Sequence, residues 1–322
     1  MEILCGRHGP GSIPGRAGHH NAPSTPFLRS LPRPSVKRTP AALWIWYRGT
    51  HFRGYQRQPE GPTVQQTLED SLRKAGVPYT VMGAGRTDRG VHARMQVVSV
   101  RLPPCYTSEM LSERLPPHVP PELGLCVARR PPDGFHAQWS AVGKEYRYRI
   151  QLGGTVSEPW RPFVMDPSAE PRLMEGSTLK PERIAELLGA AVGCRDFRAF
   201  HENSSLCKPR TLESATLHEL GNGLFEARLR GDGFGRYQVR YLVGSTLLTA
   251  AGVLSEELFR SALDRGTSLP GLKAPAQGLL LWEVLYPPAV DPFPAEERAR
   301  APGLPLAPPF SLPAGSDSAA AA

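Results

Sequence analysis

Residues 83–93 read Gly-Ala-Gly-Arg-Thr-Asp-Arg-Gly-Val-His-Ala. One acid, Asp88, stands among glycines and arginines just after the apolar residues 79–82. Glycine lets a backbone turn sharply or approach a ligand closely. Arg86 and Arg89 suit phosphates and favour the ionised form of a nearby carboxylate. A carboxylate kept ionised in a basic, tightly turned loop is a candidate nucleophile or base for a polyanionic substrate. Two nucleotide-binding readings fail. Asp88 occupies the place of the third glycine of a dinucleotide loop, and no Gly-Lys-Ser/Thr follows to make a Walker loop. On residue types alone, an ordinary turn with a capping aspartate remains equally open.

Outward from this run, elements of both kinds alternate without a strict βαβ period. Strands are expected at 42–48, 79–82, 96–102, 123–129 and 145–151. In the strand at 145–151, Tyr146, Tyr148 and Ile150 share one face, and Arg147 and Arg149 the other. Thr63 offers a helix cap, with Gln66 completing a capping box and Val64, Leu68, Leu72 and Ala75 forming an apolar stripe up to Gly76. Helices are further expected at 181–192, 236–251 and 256–265. Gly221-Asn222-Gly223 marks a hairpin between strands at 212–219 and 224–231, and a last strand falls at 279–285. This pattern predicts an α+β fold with a mainly antiparallel sheet.

The 322 residues carry a net charge of +8, which favours an anionic partner. Residues 1–40 contribute +5 and residues 288–322 contribute −2, so the middle is basic in its own right. The first segment is rich in Pro, Gly, Arg and His and reads as a disordered basic tail. An RNA-attracting arm, a transit segment and a mis-assigned start compete for it, the transit segment least favoured because so many prolines make a poor amphipathic helix. Residues 288–322 read as a second disordered tail, rich in Pro and Ala. Five cysteines without a C-x-x-C pair argue against a disulfide framework or a zinc site. No apolar stretch has the length of a membrane span, so a soluble protein is expected.

The run at 83–93 resembles the Gly-Arg-Thr-Asp-x-Gly-Val-His signature of the TruA family of tRNA pseudouridine synthases, with Arg89 where Ala is usual. The resemblance continues in order over about 42–287. Residues 47–58 look like the family's opening motif, with Arg48 for Asp and Tyr55 for Trp, and Thr63-Val64-Gln65 follows. Phe135-His136-Ala137 with Ser140-Ala141 is similar to Phe-His-Ala-Arg-x-Ser-Ala, Gln138 replacing Arg. Lys144-x-Tyr146-x-Tyr148, Asp196-Phe197 with Phe200, Phe234 to Gly244 (Gln238 for Met) and Gln277 to Tyr286 resemble the later motifs.

The resemblance implies a pseudouridine synthase fold of two α+β subdomains meeting at a basic cleft. Residues 41–132 would carry Asp88, and residues 133–287 would carry Tyr146 and Arg240. It implies isomerisation of uridine at positions 38, 39 and 40 of the tRNA anticodon stem-loop, by a cytoplasmic homodimer that flips the base. Asp88 would be the catalytic group and Tyr146 would stack on the uracil. Arg240 would pair with Asp88, and Arg86 would face the RNA beside the flipped nucleotide. The reaction leaves composition unchanged, so no cofactor and no metal is expected. Arg53, Arg57, Arg89, Arg94 and Lys144 are candidates for phosphate contacts, His92 for a hydrogen-bonding role in the loop, and His136 for a structural one. A non-catalytic RNA-binding protein and a synthase aimed at another RNA are the competing readings.

Overall fold

The computed structural model describes residues 38–78, 80–202 and 209–311. The expected tail at 1–40 lies outside them, apart from its last three residues. Among the described residues nine strands form one sheet: β1 (Thr39–Tyr47), β2 (Met82–Gly83), β3 (His92–Leu102), β4 (Leu123–Arg129), β5 (Gly143–Gln151), β6 (Gly193–Arg195), β7 (Arg210–Glu219), β8 (Leu224–Gly231) and β9 (Leu279–Leu285). Their order is β4-β1-β3-β9-β5-β8-β7-β6, with β2 paired to β3. Among these described strands every strand-to-strand pairing is antiparallel except β3 with β9. That short parallel contact, His92↔Leu280 and Ala93↔Leu281, joins the N-terminal strands to the C-terminal ones. The protein is thus mixed α+β with a mostly antiparallel sheet, as the pattern predicts.

The helices are α1 (Val64–Lys74), α2 (Ser108–Arg114), α3 (Pro171–Met174), α4 (Pro181–Ala190), α5 (Gln238–Ala250), α6 (Glu256–Arg265) and α7 (Ala295–Arg300). Thr63 caps α1 as its spacing predicts, its side chain accepting from the Gln66 amide at 3.3 Å. Val64, Leu68 and Leu72 are buried beneath it. Helix α5 is buried along nearly its whole length and packs on α4, which in turn packs on β7. The hairpin β7–β8 turns through Gly221, Asn222 and Gly223, all with positive φ. Such torsions suit the expected glycine-rich turn.

Two expectations fail for physical reasons. The strand at 79–82 shrinks to Met82–Gly83, with Tyr79 outside the described residues. Residues 288–311 are not a structureless tail. Phe293 is 1% exposed and meets Trp44 edge-on at 6.1 Å, and Phe310 meets Trp46 at 5.3 Å. Arg298 pairs with Glu283 at 2.6 Å and Asp291 at 2.7 Å. Two aromatic anchors and one doubly paired guanidinium outweigh a composition that reads as disorder.

That segment also reaches the Arg147–Arg149 side of β5. Arg149 is 1% exposed. It donates to Glu226 on β8 at 3.0 Å and to the Pro309 carbonyl at 2.6 Å. Arg147 and Arg228 complete a cluster around the same buried Glu226. Arg48 donates to the Pro308 carbonyl at 3.2 Å, so the arginine that departs from the family's aspartate holds the C-terminal segment.

Candidate active site

The turn between β2 and β3 is fixed residue by residue. Ala84 donates its amide to the Val97 carbonyl at 2.7 Å, and Gln96 donates to the Gly85 carbonyl at 2.9 Å. The Tyr55 amide donates to the Thr87 carbonyl at 3.0 Å, and the Thr87 and Tyr47 hydroxyls are 2.8 Å apart. The Val91 amide closes the turn on the Asp88 carbonyl at 3.1 Å. Gly90 adopts φ +83°, a conformation L side chains rarely take. Gly54, at φ +97°, lies so close that a Cβ there would stand 3.0 Å from the Thr87 carbonyl oxygen. With so many ties on its neighbours, the backbone of Asp88 has little freedom to move.

Asp88 is half-buried. Burial pushes its carboxyl above the usual carboxylate range, opposed by the guanidinium of Arg240 first, then Arg236 and Lys273. Glu202 adds a smaller push upward. Arg240 is thus the leading cation acting on Asp88, but no ion pair within 4.0 Å joins the two among the described residues. Arg240 instead donates through Nε to the Ala274 carbonyl at 2.6 Å. This corrects the expectation of a direct carboxylate partner: the backbone carbonyl satisfies the half-buried guanidinium, which then acts on Asp88 through space.

Tyr146 lies on β5 beneath this turn. Its ring is 9% exposed and meets Phe234 edge-on at 5.2 Å. Burial pushes its hydroxyl well above the usual range, with Tyr47 and Asp88 adding to the effect. The phenol therefore stays neutral near pH 7. Arg86 and Arg89 are exposed on the turn. Lys144 reaches in from β5, its Nζ 3.0 Å from where a Cβ on Gly85 would stand. Burial and then Arg210 hold its ammonium below the usual range.

Other predicted residues are held by partners of their own. Arg94 is 8% exposed, with Trp282 at 4.5 Å and the Arg298 carbonyl at 2.9 Å, so it braces the C-terminal segment and cannot meet a phosphate at the surface. Arg53 pairs with Glu60 at 3.0 Å, and Arg57 pairs with Glu69. His92 is buried and accepts from the Gly49 amide at 3.0 Å, and burial lowers its pKa to about 3. That makes it a structural acceptor. His136 accepts from the Gln138 and Trp139 amides at 3.1 and 3.3 Å, also a structural role.

The sequence reading missed one wall of the site. Tyr237 precedes α5 in a left-handed conformation, φ 61°. Lys273, Arg236 and Arg240 lie 4.3, 4.8 and 5.4 Å from its ring centre. Glu202 accepts from Lys273 at 2.9 Å. Arg236 and Tyr237 stand within four residues of Arg240 and could have been singled out on that ground. Nothing in the local pattern marks Lys273. Among the described residues no cluster of His, Cys, Asp and Glu could hold a metal ion, and no helix is long and apolar enough to cross a membrane.

The family model described as tRNA pseudouridine synthase matches residues 44–130 and 188–287. The chain is 36% identical to tRNA pseudouridine synthase A of Syntrophotalea carbinolica over 255 residues, which is 76% of this chain and 96% of that protein. It is 36% identical to the protein of the same name from Chlorobium chlorochromatii, over 76% of this chain and 98% of that one. The Bacillus pumilus protein of that name is 32% identical over 75% and 97%. Among solved structures, a chain of a Cbf5-Nop10-Gar1 complex is similar over 68% of this chain and 55% of that one, at 13% identity and a TM-score of 0.31, too slight a likeness to bear on the fold.

Proposed function

The chain belongs to the tRNA pseudouridine synthase family, isomerases acting on tRNA, and from that premise we propose that Asp88 is the catalytic group of a uridine isomerisation in the anticodon stem-loop, at positions 38, 39 and 40. The observation that carries this reading is the setting of Asp88. It is a half-buried carboxylate on a rigid turn, with Arg240, Arg236 and Lys273 as the cations that favour its ionised form.

In this reaction the N1–C1′ bond of uridine breaks and a C5–C1′ bond forms. C5 gives up its proton and N1 gains one, so composition is unchanged. Asp88 acts as nucleophile or base, and the cations beside it support the carboxylate that either role requires. The base leaves its stack to reach the turn. Tyr146, buried on β5 against Phe234, packs on the flipped uracil once the base enters. Its neutral hydroxyl supports a packing role and does not supply a phenolate. Arg86, exposed on the same turn, faces the phosphates beside the flipped nucleotide. Residues 41–132 and 133–287 act as two subdomains around this cleft, in a cytoplasmic homodimer.

The test is a map of pseudouridine in tRNA incubated with purified wild type or Asp88→Ala. Wild type is expected to modify uridines of the anticodon stem-loop, and Asp88→Ala to bind the same tRNA without modifying it. Modification by Asp88→Ala at the wild-type rate would overturn the proposal.

A further inference from the structure

The strand β5 is preceded by a tight turn whose aromatic side chains take no part in the site around Asp88. The His136 amide donates to Ser140 Oγ at 3.0 Å, and the Ser140 amide returns to the His136 carbonyl at 2.9 Å. His136 Nδ1 accepts from the next two amides but one, those of Gln138 and Trp139. The turn is also fastened to the body. The Ala137 amide donates to Ser99 Oγ at 2.9 Å, and Tyr286 donates to the Ala137 carbonyl at 2.7 Å. This geometry lays the indole of Trp139 flat on the imidazole, with ring centres 4.0 Å apart and planes 17° from parallel. Trp139 is nevertheless 78% exposed. A large aromatic ring held rigidly in water is unusual, because its burial elsewhere would be favourable.

The surroundings point to one kind of occupant. Met82, 45% exposed, pairs in β2 with Ser99, the residue that anchors the turn. Val142, 53% exposed, stands two residues before Lys144, whose ammonium rests against Gly85. The exposed apolar surface therefore adjoins the rim of the Asp88 turn, where Lys144 and the exposed Arg86 and Arg89 supply positive charge. A flat, preorganised ring next to cations matches an unstacked nucleobase with its phosphate. Every base offers a π face, and stacking on an aromatic side chain contributes to binding whatever the sequence.

We infer that Trp139, held against His136, is a stacking platform for one unpaired nucleobase of the RNA substrate, at a site separate from the uridine pocket. The inference rests on the reading of this protein as an enzyme of tRNA. Burial holds the His136 imidazole below its usual range, so the stack is neutral at physiological pH and the attraction for phosphate comes from the neighbouring cations.

The experiment uses the full chain and an unmodified tRNA transcript at fixed salt. Trp139→Ala is expected to raise Kd and KM about 5- to 100-fold. It should leave kcat at saturating tRNA unchanged, because the platform holds substrate and transition state alike. Trp139→Phe keeps a flat ring and should stay within about threefold of wild type. Trp44, Trp46 and Trp160 are buried and Trp282 is half-buried beneath the Arg94 and Arg147 guanidiniums, so the quenching by tRNA that wild type shows and Trp139→Phe lacks is assigned to Trp139. Equal Kd and KM in Trp139→Ala and wild type would overturn the inference. So would a change in sedimentation on that substitution, which would assign the patch to contact with a second copy. A wild type that makes no pseudouridine would refute the proposed reaction, whereas unaltered affinity in Trp139→Ala beside an active wild type refutes the platform alone.

Discussion

The guanidinium of Arg240 lies 5.4 Å from the ring centre of Tyr237, a residue whose backbone sits at φ 61°. A bulky residue in that conformation is a genuine outlier, held there by its surroundings at a cost of about 1–2 kcal/mol. Here the surroundings are the cations on its ring and the start of α5. Strain of this kind gathers at functional sites. Replacing Tyr237 by Gly removes the strain and the ring together. We expect thermal stability to hold or rise while kcat falls roughly tenfold, through a displaced Arg240 worth about 1.4 kcal/mol in the transition state. Tyr237→Phe should retain activity. A Tyr237→Gly enzyme with full kcat would show that the ring does not position the cation.

Asp88 carries a second expectation. Its carboxyl is raised above the range of an unfolded chain, chiefly by desolvation. Between the unfolded and the folded values the native state binds the extra proton, so stability falls as pH rises through that window. At neutral pH the ionised group is a net cost. Asp88→Asn should therefore raise Tm relative to wild type at pH 7, with the gap closing as pH drops below about 4. Activity should fall by roughly three orders of magnitude or more. Differential scanning over pH, beside a rate assay, checks both. An Asp88→Asn Tm below that of wild type at pH 7 would contradict the account.

Glu226 shows the opposite sign. It is fully buried on β8 among Arg149, Arg147 and Arg228. Burial pushes its carboxyl up, but the guanidiniums win and hold it below the usual range. Its stabilisation is present above the unfolded pKa and is lost as pH falls through the folded one. Glu226→Gln leaves buried arginines without their counter-charge and should cost about 3–5 kcal/mol. Urea denaturation at pH 7 measures this, and a loss below about 1 kcal/mol would mean that water or other groups compensate the arginines.

Gly85 separates binding from folding. An added Cβ there meets only the end of the flexible Lys144 side chain, at 3.0 Å, whereas one on Gly49 would fall 2.0 Å from the Val91 carbonyl oxygen. Gly85→Ala is expected to fold and to move the ammonium. If that ammonium contacts a phosphate, the slope of log affinity for tRNA against log salt should fall by about 1. Gly49→Ala should fail to fold stably. A Gly85→Ala protein with an unchanged salt slope would remove Lys144 from the RNA contacts.

The sequence was readable where local chemistry decides. Thr63 with Gln66 located a helix start, Gly221 to Gly223 a hairpin, and the glycines around Asp88 a tight turn, because caps and positive-φ turns draw on a few residues close in the chain. The proximity of Arg240 to Asp88 was legible only through resemblance, since 151 intervening residues separate them in sequence and the Ala274 carbonyl that holds the guanidinium has no side-chain signature. Lys273 was invisible for the same reason. Arg94 misled in the opposite direction. A basic residue in a signature strand reads as a phosphate ligand, and only the C-terminal segment folding over Trp282 shows it buried.

The C-terminal segment makes the last prediction, because its composition and its structure disagree. Phe293 is buried against Trp44 of strand β1, and Arg298 behind it joins Glu283, Asp291 and the Val284 carbonyl. If these contacts hold the segment, Phe293→Ala should cost about 3–5 kcal/mol, the usual cost of deleting a fully packed ring. The corresponding Tm fall is roughly 10 °C for a chain of this size. Phe310→Ala, at the far end against Trp46, should instead loosen the segment locally. It should speed proteolysis after Arg300 while shifting Tm by only a few degrees, because the Phe293 and Arg298 anchors remain. A Phe293→Ala protein that melts with wild type would show that 288–311 lies on the body without stabilising it.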